Sequence, residues 1–310
     1  MKFGIHNPSW LFGDDPHEMF EHLKRKAQWA EEQGFSWFSL MDHLIQIPGV
    51  GDADEPFMEG WSTLSALAAV TSKIRLGTLV SSVAYRNPAH LAKIAAGVDI
   101  ISRGRLTLGI GAGWYVQEYQ QYGWTFPEKP AVRIGQMEDA IQLIVKMWSE
   151  PRANFNGKYF HVQDAILEPK PVQKPYPPIL IGGSGEQLTL RAVARWADAC
   201  NVFGDPQTVK SKFDVLRMHC EKTGRDFASI ERTNTTSLLI AKDEAALKAK
   251  KERINLPDPF RGYAMTIPQM IDLVGGYQDV GSQLMIFSSY KNDAETIELF
   301  ASEVMPKFAS

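Results

Sequence analysis

Eight short apolar runs alternate with helix-like stretches along this 310-residue chain, and no other feature constrains its fold as much. Strands that are each followed by a helix form parallel sheets with right-handed crossovers. The predicted strands are residues 2–7, 35–41, 74–80, 105–110, 179–181, 198–203, 232–241 and 283–288. Eight such units favour an α/β fold of the closed (β/α)8 TIM-barrel type, with an open doubly wound sheet as the alternative.

One segment breaks the alternation, between the fourth and fifth strand–helix units. Residues 150–178 contain a short predicted hairpin that turns at Asn156-Gly157, followed by a return rich in proline. The stretches before and after this segment have the same alternating character, whereas a linker would separate unlike halves. We therefore interpret about 150–178 as an insertion in a single domain that spans residues 1–310.

Composition narrows the class of protein. A formal net charge of −3 gives no basic surface for nucleic acid, and no apolar run approaches the ~20 residues of a membrane span. Cys200 and Cys220 are too few for a disulfide framework and lack metal-ligand spacing, so we expect reduced thiols and no metal site. Acidic residues lie where a signal peptide would need an apolar core. These features predict a cytoplasmic protein.

Two glycine-rich turns follow predicted strands, at the barrel face where enzymes of this fold hold their active sites. In the first, Gly111, Ala112 and Gly113 precede Trp114, and glycine there lets a flat ring approach the main chain. The second turn joins a strand to a helix and consists of Gly182, Gly183, Ser184, Gly185 and Glu186. Its N–H groups and the helix dipole predict a phosphate site. The alternative for both turns is tight packing alone.

The candidate for proton chemistry is His43, which follows the second predicted strand directly after Asp42. Histidine donates or accepts a proton near neutral pH, and an adjacent carboxylate can set its tautomer or charge. The alternative is a purely structural histidine. Trp114, beside Gly113, is interpreted as a pocket wall, with a core residue as the alternative.

Other kinds of catalytic site lack their defining residues. The turn at 182–186 has no P-loop lysine, and the glycines at 109, 111 and 113 lack Rossmann spacing. No nucleophile elbow, His-Glu-x-x-His sequence or supported carboxylate pair occurs, so hydrolase chemistry is not indicated.

Five segments together resemble the luciferase-like monooxygenase superfamily, and within it the branch that uses the deazaflavin coenzyme F420. They are Met41-Asp42-His43, GTLVSS…RNP (77–88), SRGRLTLGIGAGW (102–114), LEPKPVQKPYPPILIGGSGE (167–186) and WADACNVFG (196–204). The resemblance covers nearly the whole chain, and members that bind FMN share the same frame. It implies a (β/α)8 barrel with an excursion between the fourth and fifth units.

The resemblance also implies where a cofactor binds. The deazaflavin ring would lie in the barrel mouth beside Asp42 and His43, with its phosphate at the turn 182–186. A non-proline cis peptide is implied near Leu79-Val80, with Ser82 reaching the ring. The implied cofactor-binding residues are Asp42, Leu79, Val80, Ser81, Ser82, Gly111, Ala112, Gly113, Gly182, Gly183, Ser184, Gly185 and Glu186, and the catalytic residues are Asp42, His43 and Trp114.

One residue departs from the family pattern. The sugar-phosphate dehydrogenases of the F420 branch carry a glutamate after the fourth-strand glycines, where this chain has Trp114. The departure argues against a sugar-phosphate substrate and against a carboxylate acid at this place. It favours an apolar pocket, or one that suits an aromatic molecule.

The expected function is hydride transfer between C5 of the deazaflavin and a small carbonyl, imine or activated alkene, with His43 as proton donor or acceptor. Two alternatives stay open: a two-component monooxygenase that uses reduced FMN and oxygen, and a non-catalytic deazaflavin-binding protein. The expected partner is a small organic substrate, with no nucleic acid and no membrane. Association in the superfamily predicts a homodimer.

Overall fold

A computed structural model describes residues 1–12 and 15–308, and these residues form twelve β-strands and ten α-helices. The strands are β1 (Lys2–Asn7), β2 (Trp37–Leu40), β3 (Arg75–Thr78), β4 (Ser81–Ser82), β5 (Leu106–Gly111), β6 (Ala153–Asn156), β7 (His161–Ala165), β8 (Ile179–Gly182), β9 (Ala199–Phe203), β10 (Glu231–Ala241), β11 (Tyr263–Thr266) and β12 (Leu284–Ser289). The helices are α1 (Pro16–Glu32), α2 (Gly60–Val70), α3 (Pro88–Ile101), α4 (Val116–Gln121), α5 (Pro130–Ser149), α6 (Thr189–Trp196), α7 (Pro206–Thr223), α8 (Glu244–Arg253), α9 (Ile267–Asp279) and α10 (Ala294–Leu299).

Eight of these strands close a barrel in the order β1-β2-β3-β5-β8-β9-β10-β12, and β12 pairs back with β1. Every pairing around this ring is parallel. At the closure, Lys2 lies opposite Leu284 and Ile5 opposite Phe287. The predicted (β/α)8 barrel is confirmed, and the open doubly wound sheet is wrong because an open sheet would end in two unpaired edge strands.

Two details of the strands differ from the prediction. The third predicted strand, 74–80, ends earlier as β3, and the chain pairs again as β4 only after the Leu79–Val80 peptide. The additional strand β11 pairs with the last third of β10, where Leu238 lies opposite Tyr263. It lies off the ring of eight, so it does not change the barrel.

Helix α1 illustrates how local sequence defines a barrel helix. The Asp15 carboxylate accepts a hydrogen bond from the N–H of His17, and Pro16 occupies the first turn. Leu23 is among the residues that the helix buries against the barrel. Gly34 follows the end of the helix with φ at +85°, a conformation that glycine adopts without strain. These features define α1 as a helix that follows the first strand, as the predicted alternation requires.

The interior of the barrel is filled by Trp37. Its ring packs with Leu180, Ala199, Leu284 and Ile286. A Cβ on Gly4 would lie 2.7 Å from the Cβ of Trp37, and a Cβ on Gly77 would lie 2.7 Å from its ring. Both neighbouring strands therefore need glycine beside this side chain. Trp37 and its neighbours therefore close the interior of the barrel beneath the carboxyl ends of the strands.

The interruption predicted within 150–178 is an antiparallel hairpin. Strands β6 and β7 form a separate two-stranded sheet between α5 and β8, with Asn156 opposite His161.

Cys200 and Cys220 are free thiols, as predicted, and both are buried. Among the helices in the described ranges, none is long and apolar enough to cross a membrane.

Candidate active site

The two strongest sequence signals lie at the same end of the barrel. Asp42 and His43 follow the carboxyl end of β2, and Gly182 is the last residue of β8. Strand β2 is connected to β8 through β3 and β5, and all three pairings are parallel. The segments therefore open at one mouth, which is where barrel enzymes hold their reacting groups.

His43 is held by a carboxylate from a distant part of the chain. Its Nδ1 lies 2.7 Å from Oε2 of Glu118 in α4, and 13% of the His43 side chain is exposed whereas none of the Glu118 side chain is. The structure corrects the expectation that Asp42 sets the tautomer of His43, because Glu118 occupies that place. A carboxylate at Nδ1 keeps a proton on this nitrogen and leaves Nε2 to exchange protons at the mouth.

Glu118 is buried but has a hydrogen bond on each oxygen. Its Oε1 accepts from the N–H of Leu44 at 2.6 Å, and its Oε2 accepts from the hydroxyl of Tyr85 as well as from His43. Burial alone would raise the pKa of the Glu118 carboxyl, but these hydrogen bonds outweigh burial and hold the pKa below its ordinary value. Burial and the contact with Glu118 raise the pKa of Tyr85, so Tyr85 stays a donor. Glu118 is therefore an anion at neutral pH.

Asp42 pairs with Arg86 and not with His43. Its two oxygens accept from the guanidinium group at 2.6 and 2.9 Å, and Arg86 also contacts Glu59. Burial raises the pKa of the Asp42 carboxyl, and the positive charge of Arg86 opposes that rise. Since the Asp42 side chain has no exposed surface, its carboxylate anchors the loop that carries His43.

Three aromatic rings surround the imidazole of His43. Trp114 and Tyr115 stack on each other with centroids 5.2 Å apart, and each meets His43 edge-on, at 5.8 and 6.1 Å. The ring of Tyr85 lies 6.3 Å from His43. Trp114 is 56% exposed, so it is a wall of the mouth and not a core residue.

The segment after β3 forms an apolar floor, which we define as Leu79 and Val80. The peptide bond between them is cis, as the resemblance implied, and both pack on the Trp37 cluster. A Cβ on Gly111 would lie 2.7 Å from Cγ2 of Val80, and one on Gly182 would lie 2.9 Å from its Cγ1. Both glycines therefore make room for Val80, as the packing alternative predicted for them.

The hydroxyls of Ser81 and Ser82 are both engaged by the protein itself. Oγ of Ser81 accepts from Nε1 of Trp61 at 2.9 Å and donates to Thr78 at 3.0 Å, and Ser81 is fully buried. The Ser81 hydroxyl is therefore taken up by α2 and β3, and a contact between Ser81 and the cofactor stays a prediction. Oγ of Ser82 is 2.9 Å from the hydroxyl of Tyr119.

Replacing Ser82 with alanine is expected to lower the free energy of unfolding by about 1–3 kcal/mol, because the hydroxyl of the fully buried Tyr119 would lose its partner. Urea denaturation measures this difference. Ser149→Ala, at an exposed position on α5, is the control and should change stability by less than ~0.5 kcal/mol. Equal stabilities of the two variants would contradict the prediction.

The turn at 111–113 is built around Tyr119. Gly113 has φ at +77°, and a Cβ there would lie 2.0 Å from the Tyr119 hydroxyl and 2.5 Å from Oγ of Ser82. Ala112 is partly buried and packs on the core. The close approach that glycine permits at Gly113 is therefore made by the chain itself.

The turn at 182–186 is partly engaged as well. The N–H of Gly183 donates to the carbonyl of Asn201 at 3.0 Å, and Oγ of Ser184 accepts from a backbone N–H at the end of β9. Glu186 pairs with Lys212 of α7 at 2.6 Å. Two residues separate the turn from helix α6, so the turn is less directly joined to the helix than predicted. A phosphate at this turn stays a prediction.

Several residues of the mouth were absent from the sequence predictions, among them Tyr85, Tyr115, Arg86, His6 and Glu118. His6 lies in β1, where Gly4 and His6 alternate with the outward-packing Phe3 and Ile5, so the period of two could have identified it. Glu118 lies 75 positions after His43, and no spacing rule connects the two.

Comparison with known proteins identifies the family. A family model described as luciferase-like monooxygenase matches residues 1–296. The pyrimidine monooxygenase RutA of Acinetobacter baylyi is 30% identical over 270 residues, which cover 82% of this chain and 70% of that protein. The F420-dependent glucose-6-phosphate dehydrogenase of Microbacterium testaceum is 27% identical over 341 residues, which cover 99% of this chain and 97% of that protein.

The fold agrees with this assignment. The coenzyme F420-dependent tetrahydromethanopterin reductase from Methanopyrus kandleri superposes with a TM-score of 0.82 over 99% of both chains, at 19% identity. Similarity to enzymes over nearly the whole chain sets aside the non-catalytic alternative. This protein is an enzyme and belongs to the luciferase-like monooxygenase family.

Proposed function

We propose that this protein binds coenzyme F420 in the barrel mouth and transfers a hydride between it and a small neutral carbonyl, imine or activated alkene. The observation that carries the proposal is the imidazole of His43, held 2.7 Å from the buried anion of Glu118 at the edge of an aromatic mouth. The F420-dependent relative that aligns with 99% of this chain supports the choice of cofactor.

The residues at the mouth fit a flat heteroaromatic ring. The apolar floor of Leu79 and Val80 covers the Trp37 cluster, and Trp114 offers an exposed aromatic wall. Because Gly111 and Gly182 have no side chains, the Val80 side chain can pack directly against their strands. When bound, the coenzyme supplies the carbon that gives or takes the hydride, and the protein supplies orientation and electrostatics.

His43 would move the proton that accompanies the hydride. A carbonyl that is reduced needs a proton on oxygen, and Nε2 of a protonated imidazole can donate it. The Glu118 anion stabilises the imidazolium while Nδ1–H stays hydrogen-bonded to it, as a carboxylate does in a catalytic triad. In the oxidative direction the same nitrogen would accept the proton.

The alternative is a monooxygenase that uses reduced FMN and oxygen. Its support is the pyrimidine monooxygenase relative, which is 30% identical to this chain. The apolar floor and aromatic wall fit either ring system, so the mouth alone does not choose between them.

Titration of the protein with each cofactor tests the proposal. We expect F420 to bind at least about tenfold, or about 1.4 kcal/mol, more tightly than FMN, followed through the visible absorbance of each ring. The reduced coenzyme should then be oxidised by some members of a panel of ketones, imines and enones. Tighter binding of FMN would contradict the proposal and favour the monooxygenase.

A further inference from the structure

His6 is a second imidazole in the barrel mouth. It shares the inward face of β1 with Gly4, where a Cβ would meet the ring of Trp37. His6 lies two residues nearer than Gly4 to the carboxyl end of β1, and 7% of its surface is exposed. It lies opposite Ser39 of β2, the strand that leads to His43. The side chain therefore lies just above the packed interior, at the bottom of the mouth.

The hydrogen bonds of His6 engage one nitrogen and leave the other available. Its Nδ1 lies 3.0 Å from Oγ of Ser39, a hydroxyl that can accept a hydrogen bond from a protonated Nδ1. Within residues 1–12 and 15–308, Nε2 has no hydrogen-bond partner and is not among the fully enclosed unpartnered atoms. In the neutral ring, Nε2 is then an accessible acceptor.

The surroundings keep this imidazole neutral. Burial, the ammonium group of Lys26 and the charge of His43 lower the pKa of His6 to about 3. Lys26 donates to Oδ1 of Asn7 at 2.8 Å and to Oδ1 of Asn292 at 3.1 Å, so neutral amide oxygens hold it beside the mouth. Near neutral pH, His6 can accept a hydrogen bond but cannot act as an acid.

We propose that Nε2 of His6 accepts a hydrogen bond from a neutral N–H or O–H group of the molecule bound in the mouth. The donor is either the ring N–H of the cofactor or a hydroxyl of the substrate. The inference rests on the proposed function, because that function places a cofactor ring and a substrate at this mouth. His6 is then a specificity residue, because its lone pair repels the oxygens of carboxylates and phosphates.

The other charges at the mouth agree with a neutral ligand. The guanidinium group of Arg86 is taken up by Asp42 and Glu59, and the Glu118 anion by His43. Arg86 and Glu118 thus each have a partner of opposite charge and need no ionic substrate to balance them. Lys26 is held by neutral amides instead, and burial lowers the pKa of its ammonium group to about 7, which weakens its charge near neutral pH.

Two variants of His6 separate a binding role from a structural one. His6→Leu removes the acceptor and should weaken binding about tenfold, the equivalent of one hydrogen bond of about 1.4 kcal/mol. His6→Gln restores an acceptor at the same reach and should stay within about threefold of the unaltered protein. His161→Leu, at an exposed position in β7, is the control and should bind normally. Thermal unfolding of each variant checks that it is folded.

Two measurements identify the donor. If the cofactor supplies it, His6→Leu raises the Kd of the cofactor; if the substrate supplies it, KM rises and Kd does not. Cofactor titrations are done with F420 and with FMN, which both carry a ring N–H, so failure of the F420 assignment still leaves His6 testable. Unchanged Kd and KM in folded His6→Leu would overturn the inference.

Nitrogen NMR of ¹⁵N-histidine in the unaltered protein gives a readout that needs no activity. We expect Nδ1 protonated and Nε2 unprotonated between about pH 5 and 8, with the Nε2 signal shifting when the cofactor or the cofactor with substrate is added. His6→Gln assigns the signal. A proton on Nε2, or an Nε2 signal that no bound molecule moves, would overturn the inference even if the variants failed to fold.

Discussion

Replacing His43 with alanine is expected to lower turnover by about 10²–10⁴-fold while the cofactor still binds. The imidazole is the partly exposed group between the aromatic wall and the Glu118 anion, so its loss removes the proton donor at the mouth. The fold should survive because Glu118 keeps its hydrogen bonds to Leu44 and Tyr85. Oxidation of reduced F420 by the best ketone, imine or enone measures turnover, and absorbance titration measures binding.

The control for this variant is His161→Ala, since His161 is exposed in β7, which belongs to the separate two-stranded sheet. It should turn over at the unaltered rate. Normal turnover by His43→Ala would show that His43 is not the proton carrier. Loss of cofactor binding together with turnover would instead assign His43 to binding, which also contradicts the prediction.

Much of the fold could be predicted from the sequence because its signals are local. The period of two in strands and the caps of helices depend on neighbours within a few residues, as in α1 with Asp15, Pro16 and Gly34. Eight such units favour a closed barrel, but closure itself is seen only in the pairing of β12 with β1. The additional strand β11 escaped prediction because it pairs with β10 outside the ring, and its four residues carry no distinct pattern.

The site was only partly predictable because its contacts connect distant segments. The position of His43 follows from the end of a strand, which is a local signal. The position of its partner Glu118 depends on how α4 packs over the mouth. Adjacency in sequence wrongly favoured Asp42 as the partner of His43. Likewise, a glycine in the sequence indicates that some group approaches the main chain closely, but it does not indicate which group. In this protein, Val80 and Tyr119 are the residues that approach these glycines.

Replacing Glu118 with glutamine is expected to lower turnover by about 10²–10⁴-fold without removing the imidazole. A glutamine that still accepts from Leu44 through Oε1 places an amide N–H against Nδ1 of His43, where the carboxylate now lies. His43 must then carry its proton on Nε2 in the neutral ring, which is the opposite tautomer. Turnover of reduced F420 and the ¹⁵N signals of His43 measure the two effects separately.

The same variant should reveal the pH dependence of stability. The pKa of Glu118 in the folded protein lies below its ordinary value, so the anion stabilises the fold above pH 4.5 and this contribution is lost as the pH falls through the lowered pKa. Glu118→Gln should cost roughly 1.5–3 kcal/mol of unfolding free energy at pH 7. Urea denaturation measures the unfolding free energy of both proteins as the pH is lowered. Below pH 4.5, the ordinary pKa of a glutamate, the difference between the two free energies should shrink steadily.

Glu138→Gln is the matched control for Glu118→Gln, because Glu138 of α5 also accepts hydrogen bonds, but from Arg195 and Trp196 of α6 and not from a residue of the mouth. It should keep normal turnover and the normal His43 tautomer. A stability difference between Glu118→Gln and the unaltered protein that stays constant from pH 7 to acid would show that Glu118 is not held as an anion. The carboxylate could then not stabilise a protonated His43, and the proton-transfer role proposed for the pair would fail with it.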